Sequence, residues 1–161
     1  MQDCYREAAS LLLVRPVNDG DWSTFEVLLL HKPRKKDAWQ LPQGGKEGKE
    51  TAEQCAIREL KEEAGISHVT VLGVSDQEYK YDFPKSFRRF RPDHICGQEI
   101  AFVIGTTDRE ASVTVDGVEV DDFRWLAPEA LATYVQRSEY MMLVDHLIAE
   151  AKELLKNQSN V

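Results

Sequence analysis

Short apolar runs alternate with polar turns through the first two thirds of the chain. Ala8 to Val14 and Phe25 to His31, both rich in Leu and Val, flank the turn signal Asn18-Asp19-Gly20-Asp21 and predict two strands joined by a loop. Val69 to Val74 and Ile100 to Thr106 read as further strands, with Glu78 to Phe83 and the stretch from Val118 to Trp125 as two more. Thr51 to Ala64 reads as a helix, opened by Thr51-Ala52-Glu53-Gln54 in the form of a capping box. Near the end, Leu131 to Val135 and Met141 to Leu155 predict helices. In the latter, Met141, Val144, Leu147, Ile148, Ala151 and Leu155 recur at helical spacing, which marks a face for core packing. Lys156 to Val161 reads as a frayed tail. Strands and helices mixed in this way predict an α/β layered domain.

With 161 residues and no repeat or linker, residues 1–161 are expected to form one domain. The content of 42% hydrophobic and 30% charged residues is that of a soluble globular chain. No apolar run approaches the ~20 residues that span a bilayer, so no membrane partner is expected. The start, Met1-Gln2-Asp3-Cys4-Tyr5-Arg6, lacks a signal-peptide pattern, and a cytoplasmic location is the default expectation. Cys4, Cys55 and Cys96 form no CxxC pair and are odd in number, which argues against a disulfide framework or a zinc site and predicts free thiols. A net charge of -8 repels polyphosphates, so action on phosphates would require bound metal and a local basic patch.

Both have candidates. From Glu59, residues three and four positions on share its helix face, so Glu59, Glu62 and Glu63 project together while Ile57, Leu60 and Ala64 point elsewhere. Like charges at this spacing repel, and hard divalent cations with oxygen ligands are the natural compensation. Arg58, four before Glu62, is placed to pair with that carboxylate. Upstream, Gln43-Gly44-Gly45 and Gly48 permit a tight loop whose backbone approaches a ligand closely. The plain alternative is a solvated acidic helix face, which is what Glu62-Glu63 alone would suggest.

The full spacing favours the functional reading. Gly44, five residues, Glu50, seven residues, and then Arg58-Glu59-Leu60-Lys61-Glu62-Glu63-Ala64-Gly65-Ile66 resembles the Nudix box at each defined position. The resemblance implies an α/β/α sandwich with a mixed sheet and hydrolysis of a diphosphate linkage by water. It implies that Glu59, Glu62 and Glu63 ligate Mg²⁺, or Mn²⁺ in its place, with one of them also deprotonating the water. In this reading Arg58 orients the cluster and the Gly44 carbonyl offers a further metal ligand.

Trp39-Gln40-Leu41-Pro42-Gln43-Gly44-Gly45, then Tyr81-Asp82-Phe83-Pro84-Lys85 and Gly97-Gln98, is similar to the branch of RNA pyrophosphohydrolases and dinucleoside polyphosphate hydrolases. That likeness makes Arg6 a substrate-binding arginine and Glu119 an extra metal-binding glutamate. After Gly97-Gln98 the chain departs from the branch, reading Glu99-Ile100-Ala101-Phe102 where lysine and further aromatics are usual. Lys85-Ser86-Phe87-Arg88-Arg89-Phe90-Arg91 concentrates Lys85, Arg88, Arg89 and Arg91 with two aromatics in an acidic protein. It reads either as a patch for distal phosphates and a base or as a solvated loop. Trp39 stacks a substrate ring or packs in the core, and Gln43 joins the substrate-contacting set. The histidines show no paired ligand spacing.

The expected substrate is a phosphorylated small molecule, diadenosine tetraphosphate foremost, or a 5′-triphosphate RNA end. A diphosphoinositol polyphosphate or nucleotide-sanitising hydrolase is the alternative within enzymes, and a non-catalytic nucleotide-binding module the alternative outside them. The complete glutamate set disfavours the last, because a pure binder has no need of a repelling carboxylate cluster.

Overall fold

The computed structural model describes residues 5–34, 37–83 and 95–159. Strands β1 (Tyr5–Asn18), β2 (Asp21–His31), β3 (Trp39–Gln40) and β4 (Gln43–Gly45) precede helix α1 (Ala52–Ala64). Strands β5 (Thr70–Asp82), β6 (Gly97–Thr106) and β7 (Asp122–Leu126) follow, then a 3₁₀ turn at Pro128–Ala130 and helices α2 (Leu131–Tyr134) and α3 (Ser138–Ser159). The sheet runs β3-β2-β1-β6-β5, with β4 against β1 and β7 against β2. β1 and β6 are parallel over ten residue pairs and the other pairings are antiparallel, so the sheet is mixed.

The central strands are apolar on both faces because helices cover both. In β1, Ala8, Leu12 and Val14 face the cluster completed by Val144, Leu147, Ile148 and Ala151 of α3. Ala9, Leu11 and Leu13 face the opposite cluster, completed by Cys55, Ala56, Leu60 and Ala64 of α1. Odd and even residues of one strand therefore feed two cores, which makes the α/β/α sandwich.

β1 also changes partner along its length. Ala8, Ala9 and Ser10 pair with β4, while Val14 to Asn18 pair with β2. At the switch, the Leu11 N–H and the Ser10 hydroxyl both donate to the Pro42 carbonyl, at 3.0 and 2.9 Å. This fixes the short glycine strand that leads into α1.

Several expected boundaries move. β1 runs well past Ala8–Val14 in both directions. The separate strands expected at Val69–Val74 and Glu78–Phe83 are one strand, β5, whose register shifts between Val74 and Glu78 break the alternation. The strand expected from Val118 begins only at Asp122, because Asp116 to Asp121 form a turn. α3 starts before Met141 and continues through Ser159, so the expected fray at Lys156 is helical. The expectation of three free thiols also fails: Cys55 is free and buried, but Cys96 is disulfide-bonded. Among the described residues, no helix is long and apolar enough to cross a membrane.

Candidate active site

α1 owes its position to its two ends. The Thr51 hydroxyl accepts the Gln54 N–H at 3.1 Å and the Gln54 side chain accepts the Thr51 N–H at 3.0 Å. At the other end Gly65 adopts φ +71, and its N–H reaches the Lys61 carbonyl at 3.0 Å. Between these caps, Leu60 and Ala64 lock one face onto the sheet, and Glu59 and Glu63 reach Gly44 and Gln43 of β4.

Arg58 organises the cluster. Its Nε and Nη2 hold Glu50 at 2.6 and 3.0 Å, and Nη2 also donates to the Gly45 carbonyl at 2.8 Å. Its Nη1 donates to Glu59 at 2.9 Å and to Glu62 at 3.2 Å. The guanidinium holds the Glu50 carboxyl down to about 2, while its carboxylate partners push the Arg58 pKa further up.

The other carboxylates differ in burial. Glu63 is buried at 3% exposure; it pairs with Lys32 and accepts the Gln43 N–H at 3.0 Å. Glu62 is open, with its side chain 57% exposed. Burial pushes both Glu59 and Glu63 above the usual carboxylate range, and Lys32 only partly offsets this at Glu63. Glu59 packs directly on Gly44, where any side chain would overlap its carboxylate.

All the candidate donors are oxygens, as a hard divalent cation requires. As the side chains stand, no three acidic, histidine or cysteine groups among the described residues converge on one point. The reason is visible: Arg58 Nη1 sits between Glu59 and Glu62, and Lys32 holds Glu63. Two of the three glutamates thus already share a cation, and Glu62 is exposed enough to turn. The hold of Arg58 on Glu50 and Gly45 runs through Nε and Nη2 and does not use Nη1. The donor set therefore fits a divalent cation. The Gly44 carbonyl faces the Cys55 thiol at 3.4 Å.

Beside the cluster lies a cavity of about 710 Å³. Gln43, Gly44 and Lys32 form the end nearest the glutamates. Arg6, Arg34 and Arg137 add positive charge, while Trp39, Tyr79, Tyr81 and Tyr140 supply aromatic wall. Of the residues expected from sequence, Arg6, Trp39, Gln43, Gly44 and Glu119 all line this space. Arg6 packs its guanidinium on Gly45. Trp39 has both characters, lining the cavity and meeting His31 and Tyr134 edge-on at 4.8 and 5.2 Å. Lys85, Arg88, Arg89 and Arg91 lie outside the described residues.

Sequence reasoning did not select Lys32, Arg34, Tyr79, Arg137 or Tyr140. Lys32 directly follows β2, and the others reach the cavity only through tertiary packing. Tyr81 and Gln98, both in segments similar to the RNA pyrophosphohydrolase branch, meet at the cavity wall, where the Tyr81 hydroxyl donates to Gln98 at 2.9 Å.

The model of the NUDIX domain matches residues 5–144. The chain belongs to the Nudix family. Among curated Nudix relatives, an RNA pyrophosphohydrolase from a Sulfurovum species is 33% identical over 132 residues, covering 78% of this chain and 83% of its own. An RNA pyrophosphohydrolase from Stenotrophomonas maltophilia is 29% identical, covering 93% and 74%. The fold is also that of solved Nudix enzymes. A C. elegans Ap4A hydrolase superposes with TM-score 0.71 at 21% identity, over 92% of this chain and 98% of that one. An E. coli dihydroneopterin triphosphate pyrophosphohydrolase gives 0.66 at 22% identity, over 91% and 99%. The protein is accordingly a Nudix hydrolase of pyrophosphate bonds, in a family that generally uses divalent cations.

Proposed function

We propose that this Nudix hydrolase cleaves, with Mg²⁺, a polyphosphate attached to a nucleoside, foremost a 5′-triphosphate RNA end or a dinucleoside polyphosphate such as diadenosine tetraphosphate. The observation that carries the reading is the cavity itself, which joins cationic and aromatic walls and opens beside the glutamates. A phosphate chain suits Arg6, Lys32 and Arg34, and a base suits the tyrosines. The names of the sequence relatives support the RNA end.

Glu59, Glu62 and Glu63 would hold the cation, with Glu119 and the Gly44 carbonyl as further oxygens. When bound, such a cation polarises phosphate oxygens and lowers the pKa of coordinated water. The chain's own part is geometric and electrostatic: Arg58 anchors the loop before α1, Lys32 offsets part of the burial penalty on the Glu63 carboxylate, and the cavity orients the phosphates. Local positive charge at Arg6, Lys32, Arg34 and Arg137 overcomes the acidic surface for a polyanionic substrate.

The test is turnover, with and without Mg²⁺, of 5′-triphosphate RNA, diadenosine tetraphosphate and a diphosphoinositol phosphate in parallel. Selective hydrolysis of one of the first two is expected. Glu62→Gln should lower it by at least ~100-fold with an unchanged fold, since Glu62 is exposed and its removal leaves the packing intact. Preference for the inositol substrate, or undiminished turnover by the variant, would overturn the reading.

A further inference from the structure

Glu119 reaches the cavity from a turn that is restrained more heavily than its exposed position requires. One oxygen of Asp116, Oδ1, accepts three backbone N–H groups in succession: Val118 at 2.9 Å, Glu119 at 2.9 Å and Val120 at 3.0 Å. Gly117, at φ +78, closes the turn by donating its N–H to the Val120 carbonyl at 2.9 Å. Val120 is fully buried in the core beneath α1, which anchors the far side. The Asp121 N–H then donates to the His31 carbonyl at 3.1 Å, and its carboxylate meets His31 Nδ1 at 2.5 Å.

The backbone that carries Glu119 is therefore held on both sides of the residue. Its carboxylate has no hydrogen-bond or ion-pair partner among the described residues, and the residue lines the cavity shared with Lys32 and Gly44. Lys32, the partner of Glu63, lines the same cavity as Glu119, so the turn and the glutamate cluster border one space.

We propose that Asp116 is a positioning residue which, by gathering three N–H groups on one oxygen, sets Glu119 as the fourth carboxylate at the divalent cation. The inference rests on the proposed metal-dependent reading of the site. Asp is the residue type that does this: its short side chain reaches N–H groups two to four positions on, where Glu overshoots and Ala offers no acceptor. Without the acceptor, the glycine-containing turn would sample other conformations, and Glu119 would have to be ordered at the moment of cation binding.

The experiment compares D116A, D116N, D116E, E119Q and the double variant D116A/E119Q in the full chain. Mn²⁺ affinity is read by electron paramagnetic resonance, kcat and KM by turnover, and Tm alongside. D116A should weaken Mn²⁺ binding and lower kcat by ~10–100-fold, the usual effect of losing a group that orients a metal ligand, and E119Q, which alters the ligand itself, by at least as much, with KM little changed. The double variant should be no worse than E119Q. D116N keeps an oxygen in place and should retain most of both activities, whereas D116E should resemble D116A and serves in its stead if D116A does not fold.

Wild-type Mn²⁺ affinity in D116A or in E119Q, additive losses in the double variant, or equal damage in D116N and D116A would each overturn the inference. Absence of turnover on all three substrates by the wild type would instead overturn the functional reading, because the order of Mn²⁺ affinities among the variants still decides this proposal.

Discussion

Arg58 shows how one side chain can both hold a carboxylate cluster and leave it usable. Three of its hydrogen bonds go to Glu50 and the Gly45 carbonyl, and only Nη1 enters the cluster. Glu59 keeps a charge in a largely desolvated place, and burial sets its pKa above the ordinary 4.5. A proton thus binds Glu59 more tightly in the fold than in the unfolded chain. Its contribution to stability is fully present below about pH 4.5 and is lost as pH rises through the folded value. Glu59→Gln, neutral throughout, escapes that loss, and Arg58 keeps its other partners. Without metal at pH 7, this variant should melt above the wild type, by about 2–4 °C for each kcal/mol regained, and should lose the advantage near pH 4. Added Mg²⁺ should raise the wild type and close the gap, while turnover of the variant falls by at least ~100-fold. Thermal melts across pH, with and without Mg²⁺, check this; a variant less stable than wild type at pH 7 without metal would show that the Arg58–Glu59 bond outweighs desolvation.

At the scale of elements, α1 was legible because its signals are local. Thr51 and Gln54 form the capping box, and the apolar positions Leu60 and Ala64 separate from the glutamates by helical spacing alone. Removing the cap tests how much the site depends on it. Thr51→Ala should cost about 1 kcal/mol, or a Tm drop of about 2–4 °C, with kcat almost unchanged because the sheet contacts of Leu60 and Ala64 still fix the helix. A large fall in kcat would mean instead that fraying of the first turn reaches Arg58. The strands β1, β2 and β6 were legible as apolar runs, and those runs are continuous because both faces are buried. β3 and β4, two and three residues long, carry no period at all and exist through pairing with β2 and β1. β5 carries the sequence pattern of two strands because its register shifts interrupt the alternation that marks a strand.

The whole molecule supplies what no segment shows. The glutamates come from one helix and could be read from spacing, but the cavity draws on β1, the segment after β2, β4, β5, β6 and the start of α3. Tyr140 illustrates why such a residue was not legible: in sequence it is one more apolar position near a helix start. In the fold it is 4% exposed, and its hydroxyl oxygen accepts the Leu41 N–H at 3.1 Å across ninety-nine positions. Burial pushes its pKa from 10.0 up to about 12. The folded value lies above the unfolded one, so the stability from this phenol is complete below about pH 10 and is lost as pH rises toward 12. Tyr140→Phe removes the ionisation but leaves the Leu41 N–H without its acceptor, which costs about 1–3 kcal/mol. The variant should therefore melt lower than wild type at pH 8, yet lose less with each step from pH 10 to 12, so the two curves converge. Parallel slopes would mean that other groups carry the alkaline limb. Because Leu41 leads into Gln43 and Gly44, the same substitution should also raise KM, coupling the α3 side of the sandwich to the loop that meets the glutamates.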